Sequence, residues 1–133
     1  KPDGQPWRVL VESAAEEDAE SQALLPPRVL VLDGLAVATS GDRWHRFERD
    51  GQRYAHTIDP RSGRPVTQAA AAVSVVAHDA MHADAWATAL TVMGAEEGFA
   101  FAERKGLAAR FVVRSTAGPV ETMTPAFSEH LAT

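Results

Sequence analysis

Apolar and polar positions alternate in short runs over the first half of the chain, settle into a helical spacing, and alternate again near the end. Trp7-Arg8-Val9-Leu10-Val11 follows Pro6 and predicts a short strand. Arg28 to Leu32 predicts a second. Asp33-Gly34 reads as a tight turn from which Leu35 to Thr39 returns as a third. Ser40-Gly41-Asp42 interrupts the pattern. Trp44 to Glu48 and Gln52 to Ile58 then flank Asp50-Gly51, the strongest hairpin signal in the chain, because that pair tolerates the positive φ of a tight turn. Asp59-Pro60-Arg61-Ser62-Gly63 predicts a further turn, with proline at its second position and glycine closing it.

Four alanines lead into Val73 to Ala77, which predicts a strand. Asp79 is placed to cap a helix over Ala80 to Met93 and Gly94 to end it, with Met81, Ala85, Thr88, Ala89 and Val92 near one side. A second helix fits Glu96 to Lys105. Its acids lie in the first turn, Arg104 and Lys105 in the last, and Gly106 just beyond, as the partial charges at helix ends favour. Two strands, Ala108 to Arg114 and Val120 to Met123, close the chain around Gly118-Pro119. Strands, two central helices and strands again predict a single α+β domain over residues 1–133 with an antiparallel sheet.

Composition narrows the function classes. The formal charge is −5, from 18 acidic and 13 basic residues. Glu12, Glu16, Glu17, Asp18 and Glu20 share one stretch without a base; residues 13–27, which hold four of them, are expected to form an exposed loop or a frayed helical turn, and the remainder of the chain is neutral. No basic field exists to attract a nucleic acid backbone. The chain has no cysteine, which excludes disulfides, zinc–thiolate sites, iron–sulfur clusters and a thiol nucleophile. No apolar run approaches the roughly 18 residues of a membrane span. No signal peptide is visible at Lys1, and the abrupt opening at Gly4 and Trp7 suggests that the natural protein begins earlier.

Four places carry candidate chemistry. Ala38-Thr39-Ser40-Gly41 is either an ordinary strand end or a place where small residues let another molecule approach the backbone. His56 and Asp59 lie three residues apart at the entry to a stiff turn; Asp59 either orients the imidazole for proton transfer or caps the turn. Asp84 and Thr88, four apart, put a carboxylate and a hydroxyl on one helix face, suited to Mg²⁺ or Ca²⁺ or to a local hydrogen bond. His78 and His82 have a zinc-compatible spacing, but no glutamate lies between them and no third ligand is evident, so a solvated pair is expected.

Taken in order and spacing, Ala38 to Asp42, the hairpin, His56-Thr57-Ile58-Asp59-Pro60-Arg61-Ser62-Gly63-Arg64-Pro65, Ala83-Asp84-Ala85-Trp86-Ala87-Thr88-Ala89-Leu90 and Met93-Gly94 resemble the ApbE family. These are the FAD:protein FMN transferases, formerly called thiamine biosynthesis lipoproteins. The resemblance runs from about Gly4 to Met123. It implies a T-fold-like α+β unit that binds FAD and a divalent cation, usually Mg²⁺, cleaves the FAD pyrophosphate and attaches FMN to a threonine or serine of a target flavoprotein. Some relatives mainly hydrolyse FAD to FMN and AMP. A non-catalytic flavin-binding or interaction module, one that dimerises through its sheet, is the alternative from another class.

Carried over residue by residue, the resemblance assigns Asp84 and Thr88 to the metal and His56 to deprotonation of the acceptor hydroxyl. It places His56, Thr57, Ile58 and Asp59 along the FAD site and Ser40 and Gly41 in a nearby loop. Thr57 stands where the family often has Ile or Val, a mild change at the pocket wall. The lysine-glycine segment and backbone carbonyl that the family's N-terminal half supplies have no counterpart in these residues. The expectation is therefore a C-terminal portion with little activity alone, exposing apolar surface where the other half packs. Family habit points to an extracytoplasmic, membrane-anchored whole protein.

Overall fold

The computed structural model describes residues 1–11, 25–41, 46–67 and 72–133. Residues 12–24, with Glu12 and most of the expected acidic segment, and Asp42, Trp44 and the alanines at 69–71 lie outside the described residues. The strands are β1 (Trp7–Val11), β2 (Arg28–Leu32), β3 (Ala36–Gly41), β4 (Arg46–Arg49), β5 (Gln52–Ala55), β6 (Ile58–Asp59), β7 (Arg64–Pro65), β8 (Ala72–Ala77), β9 (Ala108–Ser115) and β10 (Gly118–Met123). The helices are α1 (Ala80–Met93), α2 (Ala95–Lys105) and the short α3 (Pro125–Ser128).

The central sheet has the order β10-β9-β8-β3, and every pairing is antiparallel. Its strands are valine- and alanine-rich because both faces are covered. Val73, Val75, Ala109 and Phe111 pack under α1 and α2 with Ala87, Leu90 and Ala102. On the other face, Val76 and Ala108 meet Val11, Leu30 and Leu32 of the β1–β2 ribbon and Phe127 of α3. Each fully buried leucine or phenylalanine contributes about 1.5–3 kcal/mol. The C-terminal segment joins this outer layer: the Val31 N–H donates to the His130 carbonyl and the Ala132 N–H to the Val29 carbonyl, both at 2.8 Å.

Three expectations are corrected. Asp33-Gly34 does not close a hairpin: β2 pairs with β1, whereas β3 pairs with β8, so the turn passes the chain from one layer to another. A short turn constrains direction but not which neighbour a strand finds. Gly118 and Pro119 do not form the last turn; they are paired in β10, opposite Ser115 and Arg114. A proline there is tolerated because β10 is an outer strand of its sheet. The apolar side read for α1 is mostly its outer one: Met81, Ala85 and Thr88 are exposed, while Ala83, Ala87, Leu90 and Thr91 face the sheet. An alanine-rich helix offers little amphipathic contrast to read.

Candidate functional site

The decapeptide beginning at His56 folds as a strand entry and a tight β6–β7 hairpin. Asp59 builds the turn. Its Oδ1 accepts from the Arg61 N–H at 2.9 Å, and its carbonyl accepts from the Gly63 N–H at 2.8 Å. The Arg61 guanidinium closes on the carboxylate, Nη2 donating to Oδ2 at 3.0 Å. Side-chain and then backbone hydrogen bonds from Arg61 hold the Asp59 carboxyl below its ordinary range. Gly63 adopts φ 68, which explains the glycine. Of the two roles open to Asp59, the structure displays the turn cap. The Val66 N–H donates to the Thr57 carbonyl at 3.0 Å and ties off the base of the loop. His56 is exposed directly after β5, Thr57 is half-buried, and Ile58 turns half its surface outward.

This turn docks beside the helices. A cavity of about 440 Å³ is lined by Asp59, Arg61, Ser62, Arg64, Pro65, Val66 and Thr67 from the turn, Val92, Met93 and Gly94 from the end of α1, and Glu97 of α2. Arg61 faces Glu97 across it, Nη1 to Oε2 at 3.8 Å.

Asp84 and Thr88 are both exposed on α1. Among the described residues neither side chain has a hydrogen-bond or ion-pair partner. At roughly 100° per residue, both lie about 180° round the helix from Trp86. Trp86 packs on Phe101 of α2, ring centroids 5.6 Å apart, so Asp84 and Thr88 occupy the flank turned away from α2. The same interval leads from Thr88 to Val92 at the cavity.

Ser40 and Gly41 end β3, paired with Val73 and Ala72. α1 follows β8 after only His78 and Asp79 and packs back over β8 and β3, so β3 and α1 run in the same direction. That brings Ser40 and Gly41 to the end of the sheet covered by the C-terminal half of α1. One hydroxyl pair anchors the strand just before: Thr39 Oγ1 and Ser74 Oγ lie 2.8 Å apart.

Asp79 caps α1 as its position predicts, Oδ1 accepting from the His82 N–H at 2.8 Å. It also does what the sequence reading missed. His82 Nδ1 lies 2.8 Å from Oδ1, and His78 Nε2 lies 3.0 Å from Oδ2. The histidine pair therefore has a third potential ligand, in the residue already read as a cap.

A family model for the ApbE family matches residues 1–111. The FAD:protein FMN transferase of Vibrio cholerae serotype O1 is 37% identical over 130 residues, which cover 98% of this chain and 37% of that relative. The Escherichia coli (strain K12) FAD:protein FMN transferase is 34% identical over 97% of this chain and 35% of its own length. The apo crystal structure of the Pseudomonas stutzeri flavinyl transferase ApbE superposes with a TM-score of 0.79 at 47% identity, covering 100% of this chain and 39% of that one. The chain thus spans less than half the length of these relatives.

Proposed function

The chain belongs to the ApbE family, and from that premise we propose that it forms the acceptor-activating and metal-holding part of an enzyme that transfers FMN from FAD to a hydroxyl of a target protein. The observation that carries this reading is the pair of exposed oxygen donors, Asp84 and Thr88, on the α1 flank that runs to the cavity beside the His56–Pro65 turn.

The donor set suits a hard dication. A carboxylate and a hydroxyl without soft ligands fit Mg²⁺ or Ca²⁺, and both groups are open to solvent and, among the described residues, not engaged with neighbours. Such an ion, when bound, supplies charge neutralisation at the pyrophosphate. Asp84 and Thr88 would hold it. His56 would accept the proton of the incoming threonine or serine hydroxyl as its oxygen bonds to the FMN phosphorus; the bridging P–O bond breaks and AMP leaves with the electron pair. Ile58 and Thr57 would wall the flavin side, and Ser40-Gly41 would let the ligand approach the backbone.

In the longer protein that completes the pocket, Asp84→Ala is expected to abolish metal-dependent flavinylation, read as in-gel flavin fluorescence on an acceptor protein. Labelling at the normal rate would overturn the metal role. His56→Ala should lower transfer at least tenfold while FAD affinity stays within about twofold. Equal loss of both would make His56 part of the pocket wall. FMN and AMP accumulating without acceptor labelling would replace the transferase by an FAD pyrophosphatase.

A further inference from the structure

We propose that His78, Asp79 and His82 form a binding site for a dication of the zinc class, separate from Asp84 and Thr88. Their ligand atoms all lie within 4.8 Å of one another. Both imidazoles converge on one carboxylate, ring centroids 4.3 Å apart and tilted by 43°. A helix cap requires one carboxylate oxygen, and the contact from the His82 N–H to Oδ1 already supplies it. Nothing in capping calls for two rings around the same group.

The geometry is close to what a metal needs. Tetrahedral zinc bonds of about 2.0–2.1 Å set neighbouring ligand atoms roughly 3.3 Å apart. The distances from Oδ2 of Asp79 to His82 Nδ1 and to His78 Nε2, 2.9 and 3.0 Å, would widen by a few tenths of an ångström. His78 would ligate through Nε2 and His82 through Nδ1, with Oδ2 of Asp79 between them. All three side chains are accessible, at 70%, 43% and 45% of their surface, so a dication can enter and a fourth position stays open to water. Two nitrogens and one oxygen favour Zn²⁺, Ni²⁺ or Cu²⁺ over Mg²⁺, which takes oxygen. The helix N-terminus opposes a cation with about half a unit charge, and the carboxylate in direct contact outweighs it. At roughly 100° per residue, His82 lies about 160° from Asp84 around α1, so one ion cannot serve both sets.

Equilibrium dialysis of the 133-residue chain against zinc sulfate tests this independently of flavin chemistry. One zinc per chain is expected. Binding should weaken at least tenfold in His78→Gln and in His82→Gln, and persist within twofold in Asp84→Asn. Zinc should also shift the ring-proton NMR signals of His78 and His82. His78 is exposed, so its variant keeps the fold, and an unchanged circular dichroism spectrum verifies that. No uptake, uptake unaffected by the histidine variants, or uptake lost in Asp84→Asn would each overturn the site.

Discussion

At the residue scale, the most consequential contacts outside the candidate site join parts of the chain that no spacing rule connects. Glu121 of β10 accepts from Arg110 of β9 and from Arg28 of β2, whose Nη2 donates to Oε2 at 2.6 Å. The Arg110 side chain has no exposed surface and the Glu121 side chain has 7%. Burial alone would raise the Glu121 carboxyl, but the hydrogen bonds from Arg28 and Arg110 outweigh it and hold the group below its usual 4.5. A carboxyl lowered on folding contributes stability that is present above about pH 4.5 and lost as pH falls through the folded value. Urea midpoints are therefore expected to drop below pH 4.5 in the parent chain, more steeply than in Glu121→Gln. At pH 7, Glu121→Ala should cost about 1–3 kcal/mol, because it removes the acceptor that Arg28 and the buried Arg110 share. None of this was legible in the sequence: Arg28 and Glu121 lie 93 residues apart, and an isolated Arg or Glu in an alternating strand reads as a surface position. The cap at Asp79 and the placement of Asp84 and Thr88 on one exposed helix face were legible because helix spacing alone sets those relations.

At the scale of elements, both long helices and most strands were readable where the signals are local. Asp79 and Gly94 bound α1 at the residues expected, and Gly106, with φ 68, ends α2. The assembly of elements was less readable. Gly98 shows why. Helix propensity alone would make it a weak point inside α2, yet a Cβ there would come within 2.9 Å of the Leu90 carbonyl oxygen and 3.2 Å of the Phe111 ring. The missing side chain is what lets α2 press against α1 and the sheet. In an isolated helix Gly→Ala stabilises by about 1 kcal/mol. Here the close backbone contact should reverse the sign, so Gly98→Ala is expected to lower stability by about 1–3 kcal/mol. Thermal denaturation checks it; a raised midpoint would mean that the helices can separate at little cost.

At the scale of the whole molecule, the candidate site lies on a side that the described residues leave uncovered. β3 is an outer strand of the central sheet, and Asp84 and Thr88 sit on the flank of α1 turned away from α2. Ile58 keeps 50% of its surface exposed at the flavin side of the proposed pocket; Trp7 at 56% and Leu10 at 66% are likewise uncovered on β1. Tight small-molecule sites bury about 70–90% of their ligand. A dinucleotide laid along α1 would here be covered from one side only, and most of the apolar transfer energy of its flavin would be forgone. Isothermal titration of the 133-residue chain with FAD and Mg²⁺ is therefore expected to give no binding tighter than about 10 μM, or −7 kcal/mol. Adding the remaining length found in the relatives, of which this chain covers 37% in the Vibrio cholerae protein, should raise affinity at least tenfold. Sub-micromolar binding by the chain alone would show that the groups around His56 and Asp84 enclose the ligand without help, and would move the pocket wholly into these residues.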